Sequence, residues 1–326
     1  MNRRTIVLPI VIAVLSAAAA QSARGQNYPA RQVTLVLPFS PGGSIDLAAR
    51  VLAQKLTERL GQSFIVENRP GAGTVIAANH VAKSAPDGYT VLIALSPLAT
   101  NATLRKKLPY DTANDLVPLA RIADIPFVLV VHPSLPVKTV PELVKYAKAR
   151  AGTLSFASSG PGSTLHLAGE LLKSMTGIQM THVPYKGGPP ALNDVVAGHV
   201  QLVFADPASA VPQIRAGKVR PLGVSSRVRL PVLPEIPPIA EAGLPGFEAV
   251  SWSLAVVPAH TPAPVLDTLN GALKAIVAMP DVQQQFIKFG MIPRTTPSPQ
   301  ELQGFLKSEI ARWGKLVQQA GIAGSQ

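Results

Sequence analysis

The chain contains no cysteine among its 326 residues. Disulfide bonds, a thiolate nucleophile and cysteine-ligated metals are therefore excluded. Stability must come from the burial of apolar side chains, and a chain of this length is long enough to form a large core. The length also fits two domains of ordinary size.

Acidic and aromatic residues are both scarce. There are 18 acids against 30 Lys and Arg, and Phe, Trp and Tyr together make up 5% of the chain. Removing residues 1–26 leaves 27 bases, 18 acids and a formal charge of +9, which favours anionic partners. The bases are scattered and no groove-reading motif is present, so we expect no nucleic acid partner. Solvated surface charge remains the alternative explanation for most of them.

Long apolar runs are missing after the first 20 residues. Met1–Arg4 is basic, Ile6–Ala20 is apolar, and Ala23–Gly25 has the small-x-small pattern of a cleavage site. Together they predict a secretory signal peptide over residues 1–26, and hence a periplasmic protein. The apolar run is shorter than the about 20 residues of a spanning helix. An uncleaved anchor and a cut after Ala20 are the alternatives.

The stretch 33–48 combines a strand, a turn and a helix. Val33–Leu37 is apolar and β-branched, a glycine pair follows, and apolar residues then recur at helical spacing from Leu47. Ser44 is the expected N-cap, and Asp46 suits the positive end of the helix dipole. Such a helix start can bind an anion through its unpaired N–H groups. The alternative is an ordinary strand-to-helix turn.

The same design recurs at Ser158–Thr164, at Thr181–Pro189 and, as a fourth version, at Leu202–Pro207. Alternating strand and helix patterns predict an α/β fold with mostly parallel sheets flanked by helices. Ligands of such sheets bind beyond the carboxyl ends of the strands, so three glycine-bearing turns predict an anion site in a cleft between two domains. We expect recognition mainly by backbone N–H groups and hydroxyls at the helix starts 43–46 and 162–165, not by an Arg clamp.

The chain order suggests two crossings between these domains. We expect residues 27–125 and 250–326 to form domain 1 and residues 126–249 to form domain 2. Ile125–Val131 is predicted as one strand, and residues 97–124 show a less regular pattern. The proline-rich passage Pro231–Pro245 is expected to lie outside the core.

Six motifs together resemble one family, the Bug-type extracytoplasmic solute receptors of tripartite tricarboxylate transporters. The resemblance extends in order over residues 27–326. The motifs are Pro38–Asp46, Val66–Gly73, Ala85–Thr90, His166–Glu170, Val183–Gly187 and Glu241–Gly246.

The resemblance implies a type II periplasmic-binding-protein fold with a hinge of two crossings. It also implies capture of a di- or tricarboxylate, an acidic amino acid or an aromatic acid, and delivery to membrane permease subunits. Reporting the solute to a signalling partner, such as a sensor-kinase ectodomain, is the alternative role. The implied ligand-binding residues are Phe39, Ser40, Gly42, Gly43, Ser44, Ile45, Asp46, Ser158, Gly162, Ser163, Thr164, His166, Tyr185, Lys186 and Gly187, with Asp206 in the loop after Phe204.

Two departures from the family pattern concern the solute. The family's first turn commonly has Thr where this chain has Ile45, and the loop after Phe204 begins with Ala205 before Asp206. An apolar Ile45 at the cleft suits a ligand with a nonpolar body.

Catalysis and metal binding have little support in the sequence. His166 has no second His, Cys or carboxylate cluster at ligand spacing, which favours a packing or hydrogen-bonding role. Capping explains Ser44 and Ser163 without a nucleophile elbow. Lys186 either pairs with a carboxylate or is simply solvated. We therefore expect no enzyme activity, no cofactor and no metal. An exported hydrolase and an effector-binding regulatory domain are the alternative classes.

Overall fold

The computed structural model describes residues 28–319 and 321–326. The predicted signal peptide, residues 1–26, lies outside the described residues. Within those residues, no helix is both long and apolar enough to span a membrane.

Strands and helices alternate along most of the described chain. The strands are β1 (Val33–Leu37), β2 (Phe64–Asn68), β3 (Thr90–Leu95), β4 (Leu116–Ile125), β5 (Val128–Val131), β6 (Leu154–Ser158), β7 (Met180–Pro184), β8 (Leu202–Ala205), β9 (Arg220–Val224), β10 (Ser251–Pro258) and β11 (Ile292–Pro293). The helices are α1 (Ser44–Leu60), α2 (Val75–Ala82), α3 (Pro97–Leu104), α4 (Val140–Ala149), α5 (Thr164–Thr176), α6 (Gly188–Val196), α7 (Pro207–Arg215), α8 (Ala263–Val277), α9 (Pro280–Lys288) and α10 (Pro299–Gln319).

The strands form two sheets. The first sheet has the order β11-β4-β10-β3-β1-β2, and the second has the order β7-β6-β8-β5-β9. β1 pairs in parallel with β2 and β3, and β6 pairs in parallel with β7 and β8. All other pairs are antiparallel. The predicted α/β class is confirmed, but both sheets are mixed. β5 and β10, the first strands after the two crossings between the sheets, run antiparallel to their neighbours.

The two crossings lie side by side. Ile125 at the end of β4 pairs with Ser251 at the start of β10, and Val128 pairs with Val224. Ser225 holds the crossings together: its Oγ accepts a hydrogen bond from Phe127 N at 2.8 Å. The same hydroxyl donates to the Ala249 carbonyl oxygen, 2.6 Å away.

The structure differs from the sequence interpretation at three places in this region. Residues 97–124 contain α3 and most of β4, whose pattern is obscured by Pro118 and Arg121. The predicted strand Ile125–Val131 is broken at Pro126, where the chain leaves the first sheet. The proline-rich passage contributes to the core, because Ile239 is fully buried and its N–H bonds the Val224 carbonyl.

Both faces of the first sheet are covered. Leu35 and Leu37 pack on the side of α1 and α8, whereas Val36 faces the side of α2, α3 and α10. Burial on both faces explains why β1 reads as a continuous apolar run. The predicted apolar stripe of α10 docks on this sheet, with Trp313 buried at 3% exposure.

Candidate functional site

The turn between β1 and α1 is fixed by its own side chains. Gly42 has φ +97°, which favours glycine, and α1 begins at Ser44 with Gly43 as N-cap rather than the expected Ser44. The Asp46 carboxylate accepts hydrogen bonds from Gly42 N, Arg50 and Asn68. Burial alone would raise the pKa of Asp46, but these bonds outweigh it and lower the pKa. Asp46 therefore braces the turn as a carboxylate.

A carboxyl group of the second sheet already occupies the start of α1. Asp206 follows β8 and is buried; its Oδ1 accepts hydrogen bonds from Ser44 N at 2.9 Å and from Ala208 N at 3.0 Å. The Ser44 hydroxyl lies 2.5 Å from the same oxygen and 2.6 Å from the Phe289 carbonyl oxygen. Burial raises the pKa of Asp206, although the hydrogen bonds from Ser44 and Ala208 act against that shift. One N–H group expected to bind a solute thus binds Asp206.

The start of α5 agrees with the sequence prediction more closely than the start of α1 does. Ser163 is the N-cap, and its Oγ accepts the His166 N–H at 3.2 Å. His166 Nδ1 accepts the Gly162 N–H at 3.1 Å. Gly162 has φ +72°, and a Cβ placed there would lie 2.2 Å from Leu104 Cδ2 at the end of α3. Glycine is therefore required at position 162 both by its dihedral angle and by close approach of the other sheet's helix.

His166 is part of an aromatic stack beneath this helix start. Its ring lies 3.9 Å from that of His182, which in turn stacks on Phe156 at 5.0 Å. Burial first, and the Lys173 charge second, lower the pKa of His166 to about 4. Burial and the neighbouring His166 lower the pKa of His182 to about 4 as well. Both imidazoles are neutral at pH 7 and serve packing and hydrogen bonding.

The third turn, which precedes α6, contacts the first turn, which precedes α1. The Ser40 hydroxyl donates to the Lys186 carbonyl oxygen at 2.9 Å, and a Cβ at Gly187 would lie 3.0 Å from Ser40 Oγ. The Tyr185 hydroxyl donates to Asp194; burial first, and this carboxylate second, raise the pKa of Tyr185 to about 12. Tyr185 is therefore a neutral donor held to its own helix α6.

Side-chain hydroxyls near α3 also join the part of the chain around the first sheet to the part around the second. Ser96 Oγ and Thr164 Oγ1 are 2.5 Å apart, and Thr100 Oγ1 donates to the Gly162 carbonyl oxygen at 2.9 Å. Together with the Ser44–Asp206 contact, they hold the helix starts of the two sheets against each other.

A small inner cavity lies between these helix starts. Its lining is mostly apolar and comes from both sheets and from the first crossing. The lining residues are Phe39, Ser40, Gly43, Ile45, Leu95, Pro97, Ile125, Phe127, Ser159, Ser163, Thr164, Leu165, Gly188, Pro189 and Asp206.

A larger and more open outer cavity adjoins the inner one, and both are lined by Phe39 and Ser159. It also contains Tyr185 and Lys186 of the third turn and Arg105, which follows α3. Arg105 is held in place because it donates to the Ala72 carbonyl oxygen at 2.6 Å. The rest of the lining is Pro38, Gly71, Gly73, Thr74, Gly160, Pro161, Pro184, Pro190 and Gln326.

The structure divides the sequence-predicted residues into two groups. Those that line a cavity are Phe39, Ser40, Gly43, Ile45, Ser163, Thr164, Tyr185, Lys186 and Asp206. Those that only support the turns are Gly42, Ser44, Asp46, Ser158, Gly162, His166 and Gly187. Among the described residues no group of three or more His, Asp or Glu is placed to hold a metal ion.

Several lining residues escaped the sequence analysis. Ile125 and Phe127 lie at the first crossing, and Leu95 and Pro97 lie at the β3–α3 junction, which carries no glycine signal. Arg105 follows a helix that the sequence did not predict. A search for side chains at every strand end, rather than at glycine turns alone, would have included Leu95 and Pro97.

Comparisons with known proteins agree with this architecture. Residues 48–322 match the model of the tripartite tricarboxylate transporter family receptor. The chain is 38% identical to protein BugT of Bordetella pertussis, over 98% of each chain. It is 42% identical to an R. palustris protein solved with adipate, with a TM-score of 0.87, covering 91% of this chain and 99% of that one.

A further solved structure, the periplasmic binding protein BugD, is 34% identical with a TM-score of 0.86, again covering 91% of this chain and 99% of that one. These neighbours confirm the predicted type II binding-protein fold. The matched family model, the shared sequence and the shared fold show that this chain belongs to the tripartite tricarboxylate transporter receptor family, of the Bug type.

Proposed function

We propose that this chain is a periplasmic receptor that captures a small carboxylate between its two sheets. The observation that carries the proposal is the convergence of three strand-to-helix turns on one pair of cavities. Two turns come from the second sheet and one from the first, so a solute placed there contacts both. Helix starts and hydroxyls supply oriented donors for an anion.

The proposal includes the domain division. We infer that residues 27–125 with 250–326 form domain 1, which contains the first sheet, and that residues 126–249 form domain 2, which contains the second. The paired crossings at Ile125–Val128 and Val224–Ser251 form the hinge about which the domains close. Closure would assemble the Ser96–Thr164 and Thr100–Gly162 contacts, which join the two domains.

Delivery to the membrane permease subunits of a tripartite tricarboxylate transporter follows from the family. The relative solved with adipate supports a carboxylate as the cargo. The basic charge of the mature chain is consistent with an anionic solute. A receptor of this kind binds and releases its solute unchanged, so we expect no turnover.

Calorimetry on the mature protein tests the proposal. The panel contains hexanoate, benzoate, adipate, malate and citrate, with hexanamide as an uncharged control of matched length. We expect at least one carboxylate to bind with micromolar affinity, about −8 kcal/mol, and hexanamide to bind far more weakly. Failure of every carboxylate, or equal binding of hexanamide, would refute the proposal. N-terminal sequencing of the exported protein should find a start between Gln21 and Asn27.

A further inference from the structure

A third cavity lies on the opposite side of the crossings from the inner cavity. Side chains alternate between the two faces of a strand, so Ile125 at the end of β4 lines the inner cavity, whereas Asp124 lines the third one. Ser226 and Ser251 of the second crossing also line it. We call it the hinge cavity. Its volume is about 270 Å³, and none of its described lining residues lines the inner or the outer cavity.

Charged side chains from both sides of the crossings surround the hinge cavity. The guanidinium groups in its lining belong to Arg121, Arg227, Arg294 and Arg312. The carboxylates in its lining belong to Asp124, Glu248 and Glu309. Four guanidinium groups against three carboxylates give this lining a formal charge of +1. The net charge therefore favours an anionic occupant.

The carboxylates of the hinge cavity are already occupied by donors. Asp124 Oδ1 accepts a hydrogen bond from Arg121, and its Oδ2 accepts one from Arg294, both at 2.7 Å. Glu309 Oε2 accepts the indole N–H groups of both tryptophans, at 2.6 and 2.8 Å. Each guanidinium has five N–H groups, so these contacts use only part of the donors. The cavity thus has a surplus of donors, which favours an oxyanion over a cation.

Arg121 is the least exposed of the four arginines. Its side chain is 23% exposed, whereas the other three range from 47% to 73%. The guanidinium lies over the Phe305 ring at 4.4 Å, and its Nε is buried without a hydrogen-bond partner among the described residues. A buried donor without an acceptor is unfavourable, so this N–H is available to an oxyanion. Guanidinium groups are suited to that role because their planar forks match oxyanion geometry.

Arg227 approaches from the side of the second sheet. Its Nε donates to Glu248 at 2.8 Å, and its side chain is largely exposed. Arg121 and Arg294 belong to the side of the first sheet. An anion bound by all three would therefore connect the two sides beside the crossings.

We propose that the hinge cavity binds a small multivalent oxyanion, of the size and charge of phosphate, between Arg121 and Arg294 of domain 1 and Arg227 of domain 2. The bound anion stabilises the closed arrangement of the domains, so it tightens solute binding, and the solute tightens anion binding by the same factor. This coupling rests on the receptor function and the hinge proposed above. The site itself does not.

Tryptophan fluorescence tests the site, because the chain has two tryptophans and both donate to Glu309 of the hinge cavity. Inorganic phosphate, added to the mature protein at constant ionic strength, should change the fluorescence saturably with a Kd below about 1 mM. A linear change, or none, would overturn the site. Saturation should persist with the tightest carboxylate of the panel present; its loss would place phosphate in the solute cleft and also overturn the site.

Three variants assign the residues. Arg121→Gln and Arg227→Gln should each weaken phosphate binding about fivefold or more. Arg227 is largely exposed, so Arg227→Gln should fold even if Arg121→Gln does not. Arg229→Gln removes an arginine that pairs with Glu241 outside the cavity, and as the matched control it should change the affinity less than about twofold. Equal phosphate affinities of Arg227→Gln and Arg229→Gln would refute the bridge between the domains.

Calorimetry tests the coupling. Saturating phosphate should lower the Kd of the tightest carboxylate about fivefold or more in the wild-type protein and less than about twofold in Arg227→Gln. An unchanged or higher Kd in the wild-type protein would overturn the coupling. If no carboxylate of the panel binds, the receptor function fails and the coupling fails with it, whereas the fluorescence titration with phosphate alone still decides the site.

Discussion

Gly162→Ala should lower the affinity for the solute while leaving the folded domains largely intact. The Cβ would lie 2.2 Å from Leu104 Cδ2, far inside ordinary contact distance. Leu104 is fully buried, so its side chain has little room to move. Leu104 lies on the side of the first sheet and Gly162 on the side of the second, so under the proposed hinge closure this clash arises only in the closed form.

Two free-energy costs contribute to the effect of Gly162→Ala. The φ of +72° costs Ala about 1–2 kcal/mol whether the cleft is open or closed. Overpacking against Leu104 costs a further ~1–3 kcal/mol in the closed form alone. That second term corresponds to a loss of affinity of about 5- to 150-fold.

Gly177→Ala is a matched control for the backbone term. Gly177 also has φ +72°, and a Cβ there meets no atom within 4 Å. Both variants should show a similar loss of thermal stability without ligand, but only Gly162→Ala should lose affinity in calorimetry with the tightest carboxylate of the panel. Equal affinities for the two variants would show that closure against Leu104 is not needed for binding.

Two further predictions concern stability. Burial lowers the pKa of His166 and His182 from 6.5 to about 4, so the unfolded state binds protons at these two residues more readily than the folded state does. The free energy of unfolding should therefore fall as the pH drops from 6.5 to about 4. His182→Phe keeps the stack and should reduce this fall in urea titrations at pH 7 and 5; an identical fall would contradict it. Glu309→Ala leaves the indole N–H groups of Trp252 and Trp313 without their acceptor and should cost about 2–3 kcal/mol. Glu309→Gln, which keeps an acceptor, should cost less by the same titration.

Local features of the site could be predicted because they depend on neighbouring residues. The strand Val33–Leu37, the helix start after Gly43 and the Ser163 cap follow from hydrophobic pattern, glycine and capping chemistry. The position of the cap on α1 was missed by one residue, since Ser44 turns its hydroxyl to Asp206 and Phe289 instead of its own helix.

Contacts between distant segments could not be predicted in the same way. Ser44 and Asp206 are 162 residues apart, and nothing in either local pattern indicates that they meet. The mixed sheets have a similar cause, because the position of β10 between β3 and β4 depends on where the second crossing returns. Ile239 shows the same limit: its rigid, proline-rich surroundings suggested exposure, but tertiary packing buries it.

A crystal structure with the tightest-binding carboxylate tests the central claim most directly. We predict that the ligand carboxylate lies between the two sheets, within hydrogen-bond distance of donors from both. A ligand bound elsewhere, or in contact with residues of one sheet alone, would contradict capture between the two domains.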